Sequence, residues 1–334
     1  MPSRTDKKPT LRTISELSGL AVPTVSRALN DAPDIGQDTK ARVREIASRI
    51  GYVPNRAGVR LRTGKTNVIS LVLGTDNEVT DHTGQLVSSI ARTLRDTRYH
   101  MIVTPYSPEK DPMIPVRYIV ETGSADALIL NRIEVADPRI DYLMKRSFPF
   151  VTYGRSKWRE QHPYFDFDNG SFGRIAAVEL ARRGCQHITL LSPPIEQNYA
   201  HDMTFGARSA LEELGITFEI LQGISGDDPG EEIQAYVAQY LTEHTQCDGL
   251  ICPSTTAAIA AVVGAERVNR VIGTDLHVFG KEAIPFLRHF RPAIGAARED
   301  VRQAGEFLAK AAIQAIEQPG LPPRQNLVGA VLED

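Results

Sequence analysis

From Asn67 onward the chain alternates short apolar runs with amphipathic stretches, and this alternation restricts the fold more than any other feature. VISLVL, HMIVTPY, ADALILN, FPFVTYG, HITLL, DGLICP and HVFG are the apolar runs, with helical patterns at residues 85–95 and 173–183 among the stretches between them. A run that is apolar almost throughout fits a strand covered on both faces, which means a parallel sheet flanked by helices. Two such α/β lobes are expected, each a doubly wound sheet, enclosing a cleft at the carboxyl ends of their strands. No GxGxxG follows the first run and no GxxxxGK[ST] occurs, so a nucleotide-dependent enzyme would lack its phosphate loop. The scattered Ser, His and Asp residues form no nucleophile–base or metal constellation, so neither an enzymatic activity nor a cofactor is expected.

Residues 10–52 follow a different period. Thr10 suits the N-cap of a first helix that carries Ile14 and Leu17 three apart, and Gly19 suits its end. A second helix begins near Val22 and Pro23, where proline is tolerated, and turns Val25, Ala28 and Leu29 inward before NDAP at residues 30–33 stops it. A third, residues 37–50, sets Val43, Ile46, Ala47 and Ile50 on one face and stops at Gly51. Three helices with a tight Gly-Leu-Ala turn between the first two give helix-turn-helix geometry, whose second helix enters the major groove of DNA.

A small helical cap with no ligand fits the same periodicity, and charge separates the two. Residues 1–66 carry 13 Lys and Arg against 6 Asp and Glu, a net of +7, while the remaining 268 residues carry 25 against 35, a net of −10. A basic unit joined to an acidic body is the footprint of a protein that meets the phosphate backbone with one end.

With 334 residues the chain has room for two or three folding units. No apolar run approaches the ~18 residues of a membrane span, and MPSRTDKKPTLR has no apolar segment of a secretory signal behind it, so a cytoplasmic location is expected. Cys185, Cys247 and Cys252 are odd in number and fit free thiols in a reducing compartment. Cys247 and Cys252 have no evident partner ligands, and no metal is expected.

The segment TLRTISELSGLAVPTVSRALNDAPDIGQDTKARVREIASRIGYVPNRAGVRLRTGKTNVISLVL, with its TVSRALN, GYVPN and LRTGKTN, resembles the start of LacI-family transcriptional regulators almost position by position. A weaker likeness continues to about Leu327. The resemblance implies a helix-turn-helix head at residues 1–54, a hinge helix and linker at 55–66, and a periplasmic-binding-protein-like core at 67–334. It places the lobes at 67–163 with 293–321 and at 164–292 with 322–334, with crossings near 162–165, 291–292 and 321–323.

For the head, the resemblance implies DNA contacts by Thr10 and Leu11 and by Val22, Pro23, Thr24, Ser26, Arg27 and Asn30 of the second helix. Arg27 is the best candidate for a base, since a guanidinium can donate twice to guanine, while Thr24 and Ser26 suit phosphates. Val22 and Pro23 stand where the family sets operator choice and offer only apolar contact. Ala21 replaces the usual capping serine, a loss of roughly 1 kcal/mol. Tyr52, Asn55 and Arg56 follow as backbone clamps, and Leu61 falls at the family's minor-groove wedge. Gly58 stands where alanine is common, costing the hinge helix roughly 1 kcal/mol.

For the cleft, the resemblance implies effector contacts by Asn131, Glu282 and Phe167, although a phenylalanine there is as readily core. Met203, also expected to contact the effector, replaces a usual arginine and Pro253–Ser254 a usual Asn–Asp, so two common hydroxyl clamps are missing. Arg155 offers a guanidinium instead, unless it pairs with a surface carboxylate. No leucine heptads follow the last strand, and a homodimer is expected rather than a tetramer. The expected protein is a repressor that binds double-stranded operator DNA and senses a sugar or sugar derivative. A purine or another non-sugar ligand is the alternative, and a transport solute-binding protein the rival from another class.

Overall fold

The structure is a computed structural model that describes residues 9–53, 64–74, 81–107 and 110–332. The chain divides into two compact units, 1–66 and 67–334.

The first unit holds α1 (Leu11–Ser18), α2 (Val22–Leu29) and α3 (Gln37–Arg49). Ile14, Val25, Ala28, Val43, Ile46 and Ala47 form its buried centre, with Leu11, Leu20, Leu29, Ile35, Ile50 and Tyr52 packed around them. Thr10 caps α1 reciprocally: its hydroxyl accepts from Thr13 N at 3.3 Å, and Thr13 Oγ1 accepts from Thr10 N at 3.1 Å. Gly19, at φ +70°, supplies the left-handed turn that ends α1 and starts the path into α2.

The second unit contains two six-stranded sheets. The first runs in the order β11 (Gln325–Val328), β5 (Tyr164–Phe167), β4 (Phe150–Tyr153), β3 (Ala127–Leu130), β1 (Val68–Gly74), β2 (His100–Tyr106), all parallel. The second runs β12 (Val331–Leu332), β10 (Gly295–Arg298), β9 (His277–Glu282), β8 (Gly249–Cys252), β6 (His187–Leu190), β7 (Thr217–Ile220), parallel except for β12. Each is a doubly wound order that reverses beside its first strand, between β1 and β3 and between β6 and β8, where such sheets open a ligand crevice.

The helices cover both faces as the apolar runs require. On the first sheet lie α4 (Asp81–Leu94) and α12 (Val301–Glu317) on one side and α5 (Met113–Thr122) and α6 (Pro138–Lys145) on the other. Strand alternation divides β3 between them, Ala127 and Ile129 toward the first pair, Leu128 and Leu130 toward the second. On the second sheet, α7 (Asn169–Arg182) and α8 (Asn198–Leu214) oppose α9 (Gly230–Glu243), α10 (Thr255–Arg267) and the short α11 (Leu287–Phe290).

The chain crosses between lobes later than the sequence suggests. Tyr164–Phe167 and Gln325–Val328 join the first sheet, and Gly295–Arg298 joins the second, so the crossings fall at Asp168, at Glu299–Asp300 and at Gly329–Ala330. Strand pairing decides this: β5 continues the first sheet through its register with β4, and a backbone bond from Asp168 N to Val328 O (2.7 Å) ties two of the crossings together. Ser171 Oγ accepts from Ala330 N at 3.0 Å, and Asp168 and Asp300 cap α7 and α12 directly after their crossings. The expected lobe limits at 163, 292 and 321 therefore give way to 167, 298 and 328.

All three cysteines are buried, Cys247 and Cys252 in one apolar cluster and Cys185 in another. Burial pushes the Cys185 and Cys252 thiols up to about 12 and raises Cys247 as well. Only the thiolate reacts with disulfide reagents. Ellman's reagent at pH 8 should therefore label none of them in the native protein and all three after denaturation in guanidinium. Rapid native labelling would mean that the second lobe opens far more often than its packing implies.

Candidate nucleic-acid interface and ligand cleft

Val22, Pro23, Arg27 and Asn30 are exposed on α2, while Thr24 and Ser26 are half-buried on its flank. Ala21 gives no side-chain cap, so the first-turn N–H groups of α2 face outward without one. Arg27, 57% exposed, is ion-paired with Asp34, and Asn30 Nδ2 donates to Ser26 O at 2.5 Å. Thr10 spends its hydroxyl on the α1 cap, and Leu11 and Tyr52 pack against the small core with only part of each side chain accessible. Asn55, Arg56 and Leu61, with Gly58, lie outside the described residues.

The cleft between the lobes is bridged by charged side chains. Asn131 ends β3 at the point where the first sheet reverses, and its Oδ1 is buried without a partner. Arg139, itself buried, pairs with Asp137 at 2.7 Å and donates to Asn131 O (3.1 Å) and Arg132 O (2.9 Å), which fixes the turn. Arg132 then reaches the other lobe and meets Asp227 at 2.6 Å, while Asn198 N donates to Ile133 O at 2.8 Å beside it.

Arg155, only 14% exposed, donates to Asp166 on β5 at 2.6 Å and to Asp202 on α8 at 2.8 Å. It therefore binds carboxylates of both lobes and does not point to solvent. Burial pushes the Asp166 carboxyl up to about 7 against the pull of Arg155. The pair accordingly loses charge as the pH falls through that value.

A third cluster lies beside the Glu299 crossing. Lys281 meets Glu299 at 3.0 Å and Asn169 Oδ1 at 3.2 Å, with its ammonium over the rings of Phe167 (5.2 Å) and Tyr199 (5.3 Å). The Tyr153 hydroxyl donates to Glu299, and His82 stacks on Tyr153 with ring centroids 5.5 Å apart. Burial opposes ionisation of Glu299, yet Lys281, His82 and the Tyr153 hydroxyl together hold its carboxyl well below the usual range.

The remaining expected cleft residues divide. Glu282 is 2% exposed; its Oε2 accepts from Phe286 N (2.9 Å) and Leu287 N (2.8 Å), capping α11, and its Oε1 is buried without a partner. Phe167 is buried between Lys281 and the ring of Phe172, 6.4 Å away, and belongs to the core of the second lobe. The expectation for Met203 is corrected: it is 0% exposed in that same core, because α8 turns it toward α7, and it offers nothing to the cleft. Arg132, Asp166, Asp202, Asp227, Lys281 and Glu299 were not expected. Asp166 and Lys281 are charges within strands, as in YFDF and HVFGKE, and Arg132 and Glu299 follow just after strands, whereas Asp202 on α8 and Asp227 in a loop carry no such signal.

No helix among the described residues is long and apolar enough to cross a membrane. Residues 10–55 match the family described as bacterial regulatory proteins, lacI family, and residues 177–333 match the periplasmic binding protein-like domain. The chain is 31% identical over 330 residues to the HTH-type transcriptional regulator AglR of Rhizobium meliloti (strain 1021), covering 96% of this chain and 92% of that one. In fold it is similar to the lac repressor dimer bound to operator and an anti-inducer, with a TM-score of 0.81 at 18% identity over 98% of each chain. It is also similar to a complex of the transcriptional regulator CelR with cellobiose, with a TM-score of 0.71 at 21% identity, over 98% of this chain and 99% of that one.

Proposed function

Since this chain belongs to the LacI family of DNA-binding transcriptional regulators, we propose that it is a homodimeric cytoplasmic repressor whose affinity for a pseudo-palindromic operator changes when a sugar or sugar derivative occupies the cleft between its lobes. The observation that carries this reading is the pairing, in one chain, of an exposed α2 face on a basic head with a charged interlobe cleft. On α2, Arg27 reads a base, Val22 and Pro23 contact base edges such as a thymine methyl, and Thr24, Ser26 and the uncapped N–H groups take phosphates. Asn30, Thr10, Leu11 and Tyr52 add contacts to the backbone, with Asn55 and Arg56 clamping it and Leu61 wedging the minor groove.

A head bound as a dimer spans two half-sites about one helical turn apart, and operator spacing reports that geometry. In the cleft, Asn131 and Glu282 are the proposed polar anchors, because each keeps a buried acceptor without a donor. The cellobiose bound by the structurally similar CelR favours a carbohydrate over the purine alternative.

Gel-shift on the DNA upstream of its own gene, with and without sugars and with hypoxanthine or guanine, tests the proposal. The expected result is binding at least about 1,000-fold tighter than to random DNA, altered by a carbohydrate. Equal affinity for both DNAs would overturn the regulator reading at this site, and a response to purine alone would overturn the sugar.

A further inference from the structure

We propose that the effector is an uncharged, hydroxyl-rich molecule, and that the cleft discriminates against its phosphorylated and carboxylated relatives. The inference rests on the cleft being the effector site and narrows the chemistry of what enters it.

Two sets of observations point the same way. Arg132, Arg155 and Lys281 stand at the lobe junction, and each is already matched, to Asp227, to Asp166 and Asp202, and to Glu299. Arg298, at the end of β10, is not free either. These three cations thus face four carboxylates. An anionic ligand could gain a guanidinium or ammonium only by displacing a carboxylate, and Asp166 and Glu299, each 5% exposed, have no water to turn to. The second set is the orphaned atoms. Of the buried atoms without a partner, the two at the carboxyl ends of β3 and β9, Asn131 Oδ1 and Glu282 Oε1, are acceptors, while the unpartnered guanidinium nitrogens, Arg139 Nη1 and Arg288 Nε, lie on α6 and α11.

A hydroxyl can donate to such an oxygen, whereas a carboxylate or a phosphate dianion adds a further acceptor. Vicinal hydroxyls also donate and accept at once, so they can bridge an arginine and its aspartate without separating the two charges. A neutral polyol therefore satisfies the orphaned acceptors and leaves the ion pairs neutralised. Its phosphate or uronate keeps hydroxyl donors but brings a charge that the matched ion pairs leave without a free cation.

The test is calorimetry at pH 8, where Asp166 is ionised, on the full-length protein with matched ligands: glucose against glucose 6-phosphate and glucuronate, ribose against ribose 5-phosphate, cellobiose against cellobionate. The neutral member of the responding set should bind at least tenfold more tightly than its anionic partners. Asp202→Asn, which frees Arg155 from one of its two carboxylates, should narrow that ratio to within about threefold while the protein still melts cooperatively. An anionic sugar that binds as well as its neutral form, or a ratio that Asp202→Asn leaves unchanged, would overturn the charge argument with the sugar reading intact. A panel in which hypoxanthine or guanine binds and no carbohydrate does would overturn the sugar reading itself.

Discussion

Gly206→Ala should lower the thermal midpoint of the protein by roughly 6–12 °C, the consequence of about 3 kcal/mol of lost stability in a domain of this size. Gly206 lies on α8 where that helix crosses α7. A methyl built on it would sit inside the carbonyl oxygen of Gly170, with the carbonyl carbon 2.8 Å away and Cα at 3.0 Å. Gly173 makes the reciprocal approach, its own added methyl overlapping the carbonyl oxygen of Met203 and standing 2.9 Å from Ala207 N. Backbone meets backbone at both points, so no side chain can rotate away. The helices must separate, and Phe172, Met203 and Leu211 lose their packing together. Gly230→Ala is the control: nothing lies within 4 Å of a methyl there, at the start of α9. Its effect should stay within about 0.5 kcal/mol. Differential scanning calorimetry of the two variants decides the matter, and a Gly206→Ala protein that melts with the wild type would remove the close crossing from the account of the second lobe.

Arg27→Ala should reduce the preference for operator over random DNA by about 5- to 150-fold, the worth of one bidentate base interaction of about 1–3 kcal/mol. The fold should be unaffected, because the exposed Arg27–Asp34 pair contributes at most about 1 kcal/mol. That pair also shapes the prediction. Arg27 must leave Asp34 to reach a base, so Asp34→Asn should not impair operator binding, although it removes the same ion pair. Competition gel-shifts at fixed salt separate the roles. If Arg27 reads a base, its removal changes the ratio between sequences; if it holds a phosphate, its removal weakens binding to all sequences alike. A uniform loss would assign Arg27 to the backbone.

Much of the head was legible because its determinants are local. The Thr10 cap and the Gly19 turn concern groups within one helical turn of each other and stand in the structure where spacing put them, and Ala21, which the family resemblance set against a usual capping serine, gives no cap. The parallel sheets were legible for a related reason: strands covered on both faces must be apolar at every position, and six such runs became β1, β3, β4, β6, β8 and β9, while a seventh, HMIVTPY, became the edge strand β2 with Ile102 and Val103 exposed. The other five strands carry no such signal. Tyr164–Phe167 holds the buried Asp166, Thr217–Ile220 and Gln325–Val328 alternate along partly exposed edges, Gly295–Arg298 is built of small residues, and Val331–Leu332 is only two residues long.

The amino-acid sequence alone establishes the kind of protein this is: a basic helix-turn-helix unit followed by a two-lobed α/β unit, because period, capping and charge act over a few residues and need no knowledge of the fold. Where the chain passes between lobes, and what the cleft charges do, depends on the tertiary structure. Arg155 and Asp202 are 47 positions apart, and Arg132 and Asp227 are 95 apart. Whether such groups meet is set by how two sheets are wound and how their crossings bring the carboxyl ends together. The same dependence placed Met203 in the core and set Glu282 to cap α11 with one oxygen while leaving the other unpartnered. An ion pair is short-ranged in space and indifferent to sequence separation, so only the folded chain could name its members.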